Sequence, residues 1–292
     1  MPLPDLLRLA GLVFAAVSLV VLGDTAGKLL TSGGVDPFLV AWSRFALAAI
    51  ALLPFSGLTR AELPNLLDRR ILVRGLFIAC GISSILTALR TEPIANVFGA
   101  FFIGPVVSYI LAILFLHERP SALRGVLLGL GFAGVMLVVK PGFGATPGIG
   151  FALLAGMFYG AYLVMTRVVA GVFRPRFLLI SQLLIGSVAL APLAAMAELP
   201  AADLRLSLLI LLSAAGSAVG NFLLVLANRR AEASLIAPLV YSQLISATVL
   251  GVLVFGDWPD IWTLAGLVVI AGSGIGSLAL HRRSLAPRSA RI

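Results

Sequence analysis

The sequence predicts an all-α integral membrane protein whose ten transmembrane helices form two inverted five-helix repeats. Three observations predict this fold: the composition, the length of the apolar runs, and a repeat in the second half of the chain. Of the 292 residues, 60% are hydrophobic and only 11% are charged, whereas soluble proteins carry roughly 25% charged residues. So few charges cannot cover a surface that faces water, and a soluble globular protein is therefore excluded.

Ten apolar runs, separated by glycine, proline and charged residues, are each long enough to cross a bilayer. They are longer than the strands of a transmembrane barrel and do not alternate between polar and apolar residues. The first run has no small-residue cleavage pattern before Asp24, so we interpret it as a span and not as a signal peptide. The predicted spans are 9–30, 38–55, 71–90, 93–116, 123–140, 148–167, 177–199, 206–227, 232–255 and 262–280.

The basic residues predict the orientation of the spans. With the N-terminus in the cytoplasm, 16 of the 21 lie on the cytoplasmic side, Arg74 among them, and four lie outside. The remaining one, Arg44, falls within the second span. Because basic residues accumulate on the cytoplasmic side of membrane proteins, both termini are predicted to be cytoplasmic. The net charge of +9 then reflects topology and not nucleic-acid binding.

The second half of the sequence repeats the first at an interval of 139 residues, and charged residues coincide at three separate points. The coinciding pairs are Lys28 and Arg167, Arg90 and Arg229, and Glu118 and Asp257. Each repeat contains five spans, an odd number, so the second crosses the membrane upside down relative to the first. Inverted repeats are typical of transporters that open one central site to either side in turn. The sequence therefore predicts a carrier of a small solute.

Hydrogen-bonding side chains in the middle of the spans are candidates for the solute site, because a polar group is costly against lipid but not against a cavity. Asn221 and Ser84 could line the solute site or, alternatively, could pack helices against one another. Tyr159 and Tyr162 share one face and could offer ring surface to a solute, or could be core aromatics. The candidate substrate-binding residues are Gln243, Asn221, Ser84, Tyr159, Tyr162, Tyr241, Arg44 and Trp42.

Asp24 and Arg44 are predicted to be the only charged side chains well inside the spans. Both lie about six residues from the outer end, or roughly 9 Å deep at 1.5 Å per residue, so we expect them to form an ion pair. The pair could be structural. Alternatively, Arg44 binds a carboxylate or phosphate of the solute while Asp24 holds Arg44 or accepts a coupling proton. Lys28, one turn away, could pair with Asp24 instead.

The sequence predicts neither a metal site nor a cofactor. Cys80 is the only cysteine, and no metal-ligand cluster, catalytic triad or Walker motif is present. The glycines of the fifth and tenth spans are predicted to pack helices together, within the chain or in a homodimer. The expected partners are a small-molecule solute and membrane lipid, without nucleic acid, and an enzyme is not expected.

Two stretches resemble the EamA-type repeat of the drug/metabolite transporter superfamily. The first comprises residues 88–91, Pro105, 115–120 and the glycine-rich run 125–134. The second comprises residues 231–234, 237–239 and 255–260, followed by Gly266. The sequence departs from the pattern at three points: His117 stands where glycine is usual, Asp257 replaces glutamate, and Leu244 stands at the second-repeat position of Pro105.

The resemblance covers residues 9–280 and is greatest to bacterial amino-acid and metabolite exporters. It implies a secondary transporter of the bacterial inner membrane that exports amino acids or related compounds by alternating access. The implied units are a first repeat, 9–140, a second, inverted repeat, 148–280, and a basic cytoplasmic tail, 281–292. An importer of a vitamin-like or acylated solute, a channel and an intramembrane enzyme are the alternatives.

Overall fold

The computed structural model describes residues 3–117, 122–139, 146–200, 203–230 and 239–285, and this part of the chain is helical without β-strands. A 3-10 helix, Arg60–Leu67, precedes α3, and a π-helical turn, Gly251–Phe255, continues α10. The α-helices are α1 (Leu3–Ser32), α2 (Pro37–Ser56), α3 (Arg69–Leu89), α4 (Ile94–Phe101), α5 (Ile103–Leu116), α6 (Ala122–Val139), α7 (Pro147–Ala170), α8 (Pro175–Met196), α9 (Leu204–Arg230), α10 (Gln243–Leu250) and α11 (Ile261–Leu285).

Local sequence determines where the helices begin and end. At the start of α2, the Asp36 carboxylate accepts hydrogen bonds from the backbone N–H groups of Phe38 (2.7 Å) and Leu39 (3.3 Å). Pro37 follows in the first helical position, where its missing N–H costs nothing. Gly57 ends the same helix with φ of 59°, a left-handed conformation that glycine adopts without strain.

Among the described residues, seven helical segments are long and apolar enough to cross a membrane, with α4 and α5 together forming one of them. Three shorter apolar segments, Gly125–Val138, Gln243–Phe255 and Ile261–Ser273, overlap the fifth, ninth and tenth predicted spans. The structure thus confirms an all-α membrane protein, and the count of ten spans stays a prediction. The predicted tail begins within α11, and its residues 286–292 lie outside the described part of the chain.

The fourth predicted span, 93–116, is not one continuous helix. Phe102, with φ of −69° and ψ of 5°, separates α4 from α5. Pro105 accounts for the interruption, because proline has no N–H to donate to the carbonyl of Phe101. The ninth span has a turn at Tyr241 and Ser242, immediately before α10. Tyr241 follows Phe102 by 139 residues, so both interruptions fall at the same position of the sequence repeat.

Helices of the first half pack mainly against helices of the second. The most extensive contacts join α1 to α9, α3 to α7, α6 to α11 and α2 to α8. Smaller contacts join α3 to α8 and α2 to α9, and α7 packs on α4 and α5 as α1 packs on α10. The main core cluster is shared by both halves, with Phe45, Leu86 and Phe98 from the first and Ile180 and Leu244 from the second.

The glycines of the fifth and tenth spans divide into two groups. A Cβ atom on Gly266 would lie 2.6 Å from the carbonyl oxygen of Gly134, and a Cβ on Gly134 would lie 2.8 Å from the carbonyl of Gly266. A Cβ on Gly125, Gly129 or Gly272 would meet no atom within 4 Å. The expected packing role is therefore confirmed within the chain for Gly134 and Gly266, and the homodimer stays a prediction.

We expect Gly266→Ala to lower the melting temperature of the purified protein, because the added methyl group would force α6 and α11 apart. Overpacking of this kind costs about 1–3 kcal/mol. The matched control is Gly272→Ala on the same helix, where the methyl group meets open space and alanine gains up to about 1 kcal/mol of helix propensity. Equal melting temperatures for the two variants in the same detergent would contradict this account.

Candidate functional site

The predicted pair of Asp24 and Arg44 is present. Arg44 is 4% exposed and donates from Nη1 to Asp24 Oδ1 (2.5 Å), from Nε to Ser213 Oγ (2.8 Å) and from Nη2 to the carbonyl of Gly23 (2.9 Å). Gly27 lies directly against the guanidinium, where a Cβ atom would collide with Nη2. Three helices, α1, α2 and α9, therefore enclose this charge, and α9 belongs to the second half.

Beside Arg44 lies a cavity whose wall is formed by α2, α3, α8 and α9. Its volume of about 30 Å³ has room for water-sized groups only, so a metabolite requires a wider conformation. The residues of the wall are Arg44, Phe45, Ala48, Leu52, Ile78, Ile82, Leu179, Gln182, Leu183, Ser217, Ala218 and Asn221. Within this mostly apolar wall, the side-chain amide of Asn221 donates to the carbonyl of Ser217 (2.8 Å), and its oxygen remains as an acceptor.

Three pairs of residues in the cavity wall are separated by 139 residues, the interval of the sequence repeat. They are Arg44 and Leu183, Ile78 and Ser217, and Ile82 and Asn221. Equivalent positions of the two repeats thus meet around one space. Each pair joins a polar side chain to an apolar one, so the wall can bind a solute that has both kinds of surface.

A second guanidinium, that of Arg74, is 3% exposed. It donates from Nε to Thr166 Oγ1 (2.8 Å) and from Nη1 to the carbonyl of Leu178 (2.8 Å). Its Nη2 donates to the Tyr162 hydroxyl and to Gln182 Oε1, both at 2.9 Å. All four acceptors are neutral, and no carboxylate lies within 4.0 Å of this guanidinium in the described part of the chain.

Asp24 and Arg44 are not the only buried charged side chains in the described part of the chain. Arg74, Lys28 and Glu92 are buried as well, with 3%, 8% and 8% exposure. Arg74 follows the start of α3 by five residues, a place from which arginine usually reaches the membrane surface. Here α7 and α8 cover it instead, because the residues to which it donates belong to these two helices.

The alternative pairing of Lys28 with Asp24 is also wrong. Lys28 Nζ donates to Asp257 Oδ2 (3.0 Å) and to the carbonyl of Glu92 (2.9 Å), and lies 4.4 Å from the ring centroid of Phe255. Asp257 follows the π-helical turn after α10. This contact, which we call the outer ion pair because it lies on the predicted outer side, joins the first half to the second.

A further ion pair joins the halves beyond the C-terminal ends of α2 and α7. Arg174 donates from Nε to Glu62 Oε1 (2.5 Å) and from Nη2 to Oε2 (2.6 Å). The hydrogen bond from Arg174 is the main reason that the pKa of Glu62 is lowered to about 2, with smaller contributions from Thr59. The carboxylate therefore stays ionised well below its ordinary pKa of 4.5, and the contact is lost as the pH falls through about 2.

Five aromatic side chains form a row that connects the interrupted helices to Arg74. Successive ring centroids lie 4.9, 6.2, 5.0 and 6.0 Å apart. The guanidinium carbon of Arg74 lies 4.7 Å from the centroid of the last ring. In order, the members of this aromatic row are Tyr241, Phe102, Phe101, Tyr159 and Tyr162.

The structure places the eight candidate substrate-binding residues in three groups. Arg44 and Asn221 line the cavity, whereas Tyr159, Tyr162 and Tyr241 belong to the aromatic row. The other three are buried or half-buried away from the cavity wall. These three are Gln243 and Ser84, with 6% and 8% exposure, and Trp42, which packs against the core cluster.

Sequence reasoning did not single out Arg74 or Gln182. A signal was available for Gln182, because a side-chain amide in the middle of an apolar span needs hydrogen-bond partners, as does that of Gln243. Among the described residues, no group of three or more histidine, cysteine, aspartate or glutamate side chains could hold a metal ion.

Comparison with known protein families matches both halves of the chain. The EamA-like transporter family matches twice, over residues 7–140 and 146–278. The chain belongs to the EamA-like transporter family. It is accordingly a member of the drug/metabolite transporter superfamily, and a membrane transporter of small molecules rather than an enzyme.

Individual relatives include transporters of two kinds of solute. The S-adenosylmethionine uptake transporter of Rickettsia conorii is 28% identical over 243 residues, covering 80% of each chain. That of Rickettsia prowazekii is 25% identical over 292 residues and 96% of each chain. The riboflavin transporter of Rhizobium johnstonii is 28% identical over 275 residues, covering 90% of this chain and 87% of its own.

A solved crystal structure shares the fold. It covers 96% of this EamA-family chain and 99% of its own, with a TM-score of 0.67 and 19% identity.

Proposed function

We propose that this protein is a secondary carrier that moves a small metabolite across the bacterial inner membrane by alternating access of two inverted halves. The observation that carries the proposal is the cavity between the halves, whose wall contains three pairs of equivalent residues. The interruptions at Phe102 and Tyr241 support it, because interrupted helices at corresponding positions of two repeats mark solute sites in carriers.

The packing of the helices supports the proposed inverted repeat of ten spans. If α1 and α7 are equivalent first helices, then α3 and α9 are equivalent third helices. The contact of α1 with α9 and that of α3 with α7 are then equivalent interfaces, related by the exchange of the two repeats. The same holds for α2 with α9 and α8 with α3. A two-fold axis in the membrane plane produces such exchanged pairs. The two units would be residues 9–140 and 148–280.

Cysteine labelling tests the proposed topology, with both termini in the cytoplasm. In a Cys80→Ala background, we expect single cysteines near Pro147 and Asp260 to react with a membrane-impermeant maleimide from the periplasm. Cysteines near Asn65 and Pro175 should react only after the membrane is opened. The reason is the excess of basic residues on the proposed cytoplasmic side. Labelling of the Asn65 position in intact cells would overturn both the orientation and the inverted repeat.

Two directions of transport are candidates. The relatives named as S-adenosylmethionine uptake transporters support import of a vitamin-like or nucleoside-like solute. The sequence resemblance to metabolite exporters supports export of amino acids. S-adenosylmethionine and riboflavin both carry a fused heteroaromatic ring, for which the aromatic row offers matching surface.

Counterflow in proteoliposomes tests whether the protein is a carrier. Vesicles preloaded with unlabelled S-adenosylmethionine, riboflavin or an amino acid are diluted into the labelled compound. A carrier accumulates the label transiently above equilibrium, whereas a channel only equilibrates it. Equilibration without overshoot for every solute that enters would overturn the carrier. Oriented vesicles with a solute gradient imposed from either side would then separate import from export.

A further inference from the structure

We propose that Arg74 recognises an anionic group of the transported solute, so that the protein selects solutes bearing a carboxylate or phosphate. The proposal rests on the proposed carrier function and names the chemical class of its solute. Arg74, Tyr162 and Gln182 form the recognition site, and the aromatic row receives the flat part of the solute.

The first argument is the uncompensated charge of Arg74. A buried charge is costly unless an opposite charge accompanies it. Arg44 has the carboxylate of Asp24 as its partner, whereas within the described residues the guanidinium of Arg74 donates only to neutral oxygens. Neutral acceptors satisfy the hydrogen bonds of the guanidinium but do not neutralise its positive charge. An anionic group brought by the solute would supply the missing charge in a geometry that suits a guanidinium.

The second argument is the position of Arg74 directly behind the cavity wall. Gln182 lines the cavity, and its Oε1 accepts hydrogen bonds from both Arg74 (2.9 Å) and the Tyr162 hydroxyl (2.8 Å). Ile78, one turn after Arg74 on α3, lines the cavity too. One side chain therefore separates the guanidinium from the cavity. Rotation of the Gln182 side chain would let an oxygen of the solute take the place of Oε1.

The third argument is the aromatic row that ends at Arg74. The guanidinium lies over the ring of Tyr162, and the other rings lead to Phe102 and Tyr241, where the fourth and ninth spans are interrupted. The rings of Tyr159 and Tyr162 are stacked, and those of Phe101 and Phe102 meet edge to face. Such a set of ring surfaces suits a planar solute, and the charge at the end of the row suits its anionic group. The site therefore fits a solute that has a flat ring system and a carboxylate or phosphate.

Binding of matched compounds tests this assignment. Purified protein in nanodiscs is titrated with three pairs that differ in the anionic group: S-adenosylmethionine and its decarboxylated form, riboflavin phosphate and riboflavin, and phenylalanine and phenylalaninamide. We expect wild-type protein to bind the member that carries the carboxylate or phosphate at least tenfold more tightly in at least one pair. Arg74→Gln should weaken binding of that member about 10- to 100-fold, the range expected for hydrogen bonds to a charged group, and leave the neutral member unchanged.

Gln182→Glu is a second variant that keeps the packing. It places a carboxylate beside Arg74 with nearly the same shape as the amide, so the protein should fold and yet lose its preference for the anionic compound. A purely structural role for Arg74 predicts no such loss. The control is Arg70→Gln, because Arg70 lies on the same helix but is exposed and pairs with Asp68; its preference should equal that of wild type.

Three results would overturn the proposal: wild-type protein that binds both members of each pair equally, wild-type protein that binds none of the six compounds, or Gln182→Glu and Arg74→Gln variants that keep the preference. The carrier function would survive such results if counterflow of a neutral compound is observed. Conversely, an anion preference in binding without counterflow would overturn the carrier function alone.

Discussion

Replacing either Asp24 or Arg44 by leucine is expected to reduce the yield of folded protein sharply and to abolish transport. The two side chains are each 4% exposed and face each other across 2.5 Å. Removing one partner leaves the other as an unpaired charge in a medium of low dielectric constant. Loss of one partner of a buried pair costs about 3–5 kcal/mol, a large part of the 5–15 kcal/mol that stabilises a typical protein. Fluorescence-detected size exclusion and thermal unfolding measure the loss.

The double variant Asp24→Leu with Arg44→Leu distinguishes a structural pair from a functional one. A structural pair predicts that yield and transport recover together, because no charge remains buried. If Arg44 contacts the solute, yield recovers and transport does not. In that case Arg44→Lys also transports poorly, because an ammonium group cannot make the same two-pronged contact. The exposed pair of Asp68 and Arg70 is the control, and its removal should leave the yield and the unfolding temperature close to those of the wild type.

Breaking the outer ion pair is expected to open the outer side of the protein. In Lys28→Met, the contacts of the ammonium group with Asp257, the Glu92 carbonyl and the Phe255 ring are all lost. The contacts with Asp257 and Phe255 join the two halves, so their loss disfavours the closed state of the proposed outer side. Hydrogen bonds to charged groups contribute about 1.5–3 kcal/mol, which corresponds to a shift in population of about tenfold or more.

A cysteine at position 94 reports this opening, because Ile94 is 0% exposed and lies two residues after Glu92. In the Cys80→Ala background we expect Ile94→Cys to react slowly with an impermeant maleimide, and about tenfold faster when combined with Lys28→Met. Asp257→Asn should have the same effect. The charge exchange Lys28→Asp with Asp257→Lys should restore slow labelling. Equal labelling rates in all four proteins would show that the outer ion pair does not hold this side closed.

The pair of Asp24 and Arg44 could be predicted from sequence because two charges at similar depth in apolar helices have few other partners. The outer ion pair could not, since Lys28 and Asp257 are 229 residues apart and each is located near a helix end where a charge needs no partner. Which neighbour covers a charge depends on how helices pack, and an apolar sequence carries little information on packing. Arg74 was assigned to the cytoplasmic surface for the same reason.

The candidate site shows a similar limit. Ser217 and Asn221 are four residues apart on one face of α9, and both line the cavity. Periodicity could not show that α8 contributes Gln182 to the same wall, or that Ser84 is not part of it. The interruption at Phe102 was hidden for another reason. Pro105 lies within a run that is apolar throughout, so hydropathy predicts one continuous span. The residue at which the helix is interrupted can be located only when the backbone hydrogen bonds are known.

The equivalent positions of the cavity wall carry different residues, and two identical subunits could not provide such an unequal site. An assembly of two identical copies would present two arginines or two leucines at the positions of Arg44 and Leu183, and its site would look the same from both faces of the membrane. One fused chain can instead keep the guanidinium on one side and the isobutyl group on the other. If the two halves alternate as we propose, a solute then binds in a single orientation. The inward-open and outward-open states would differ in energy even without a gradient, so the resting protein would face one side preferentially.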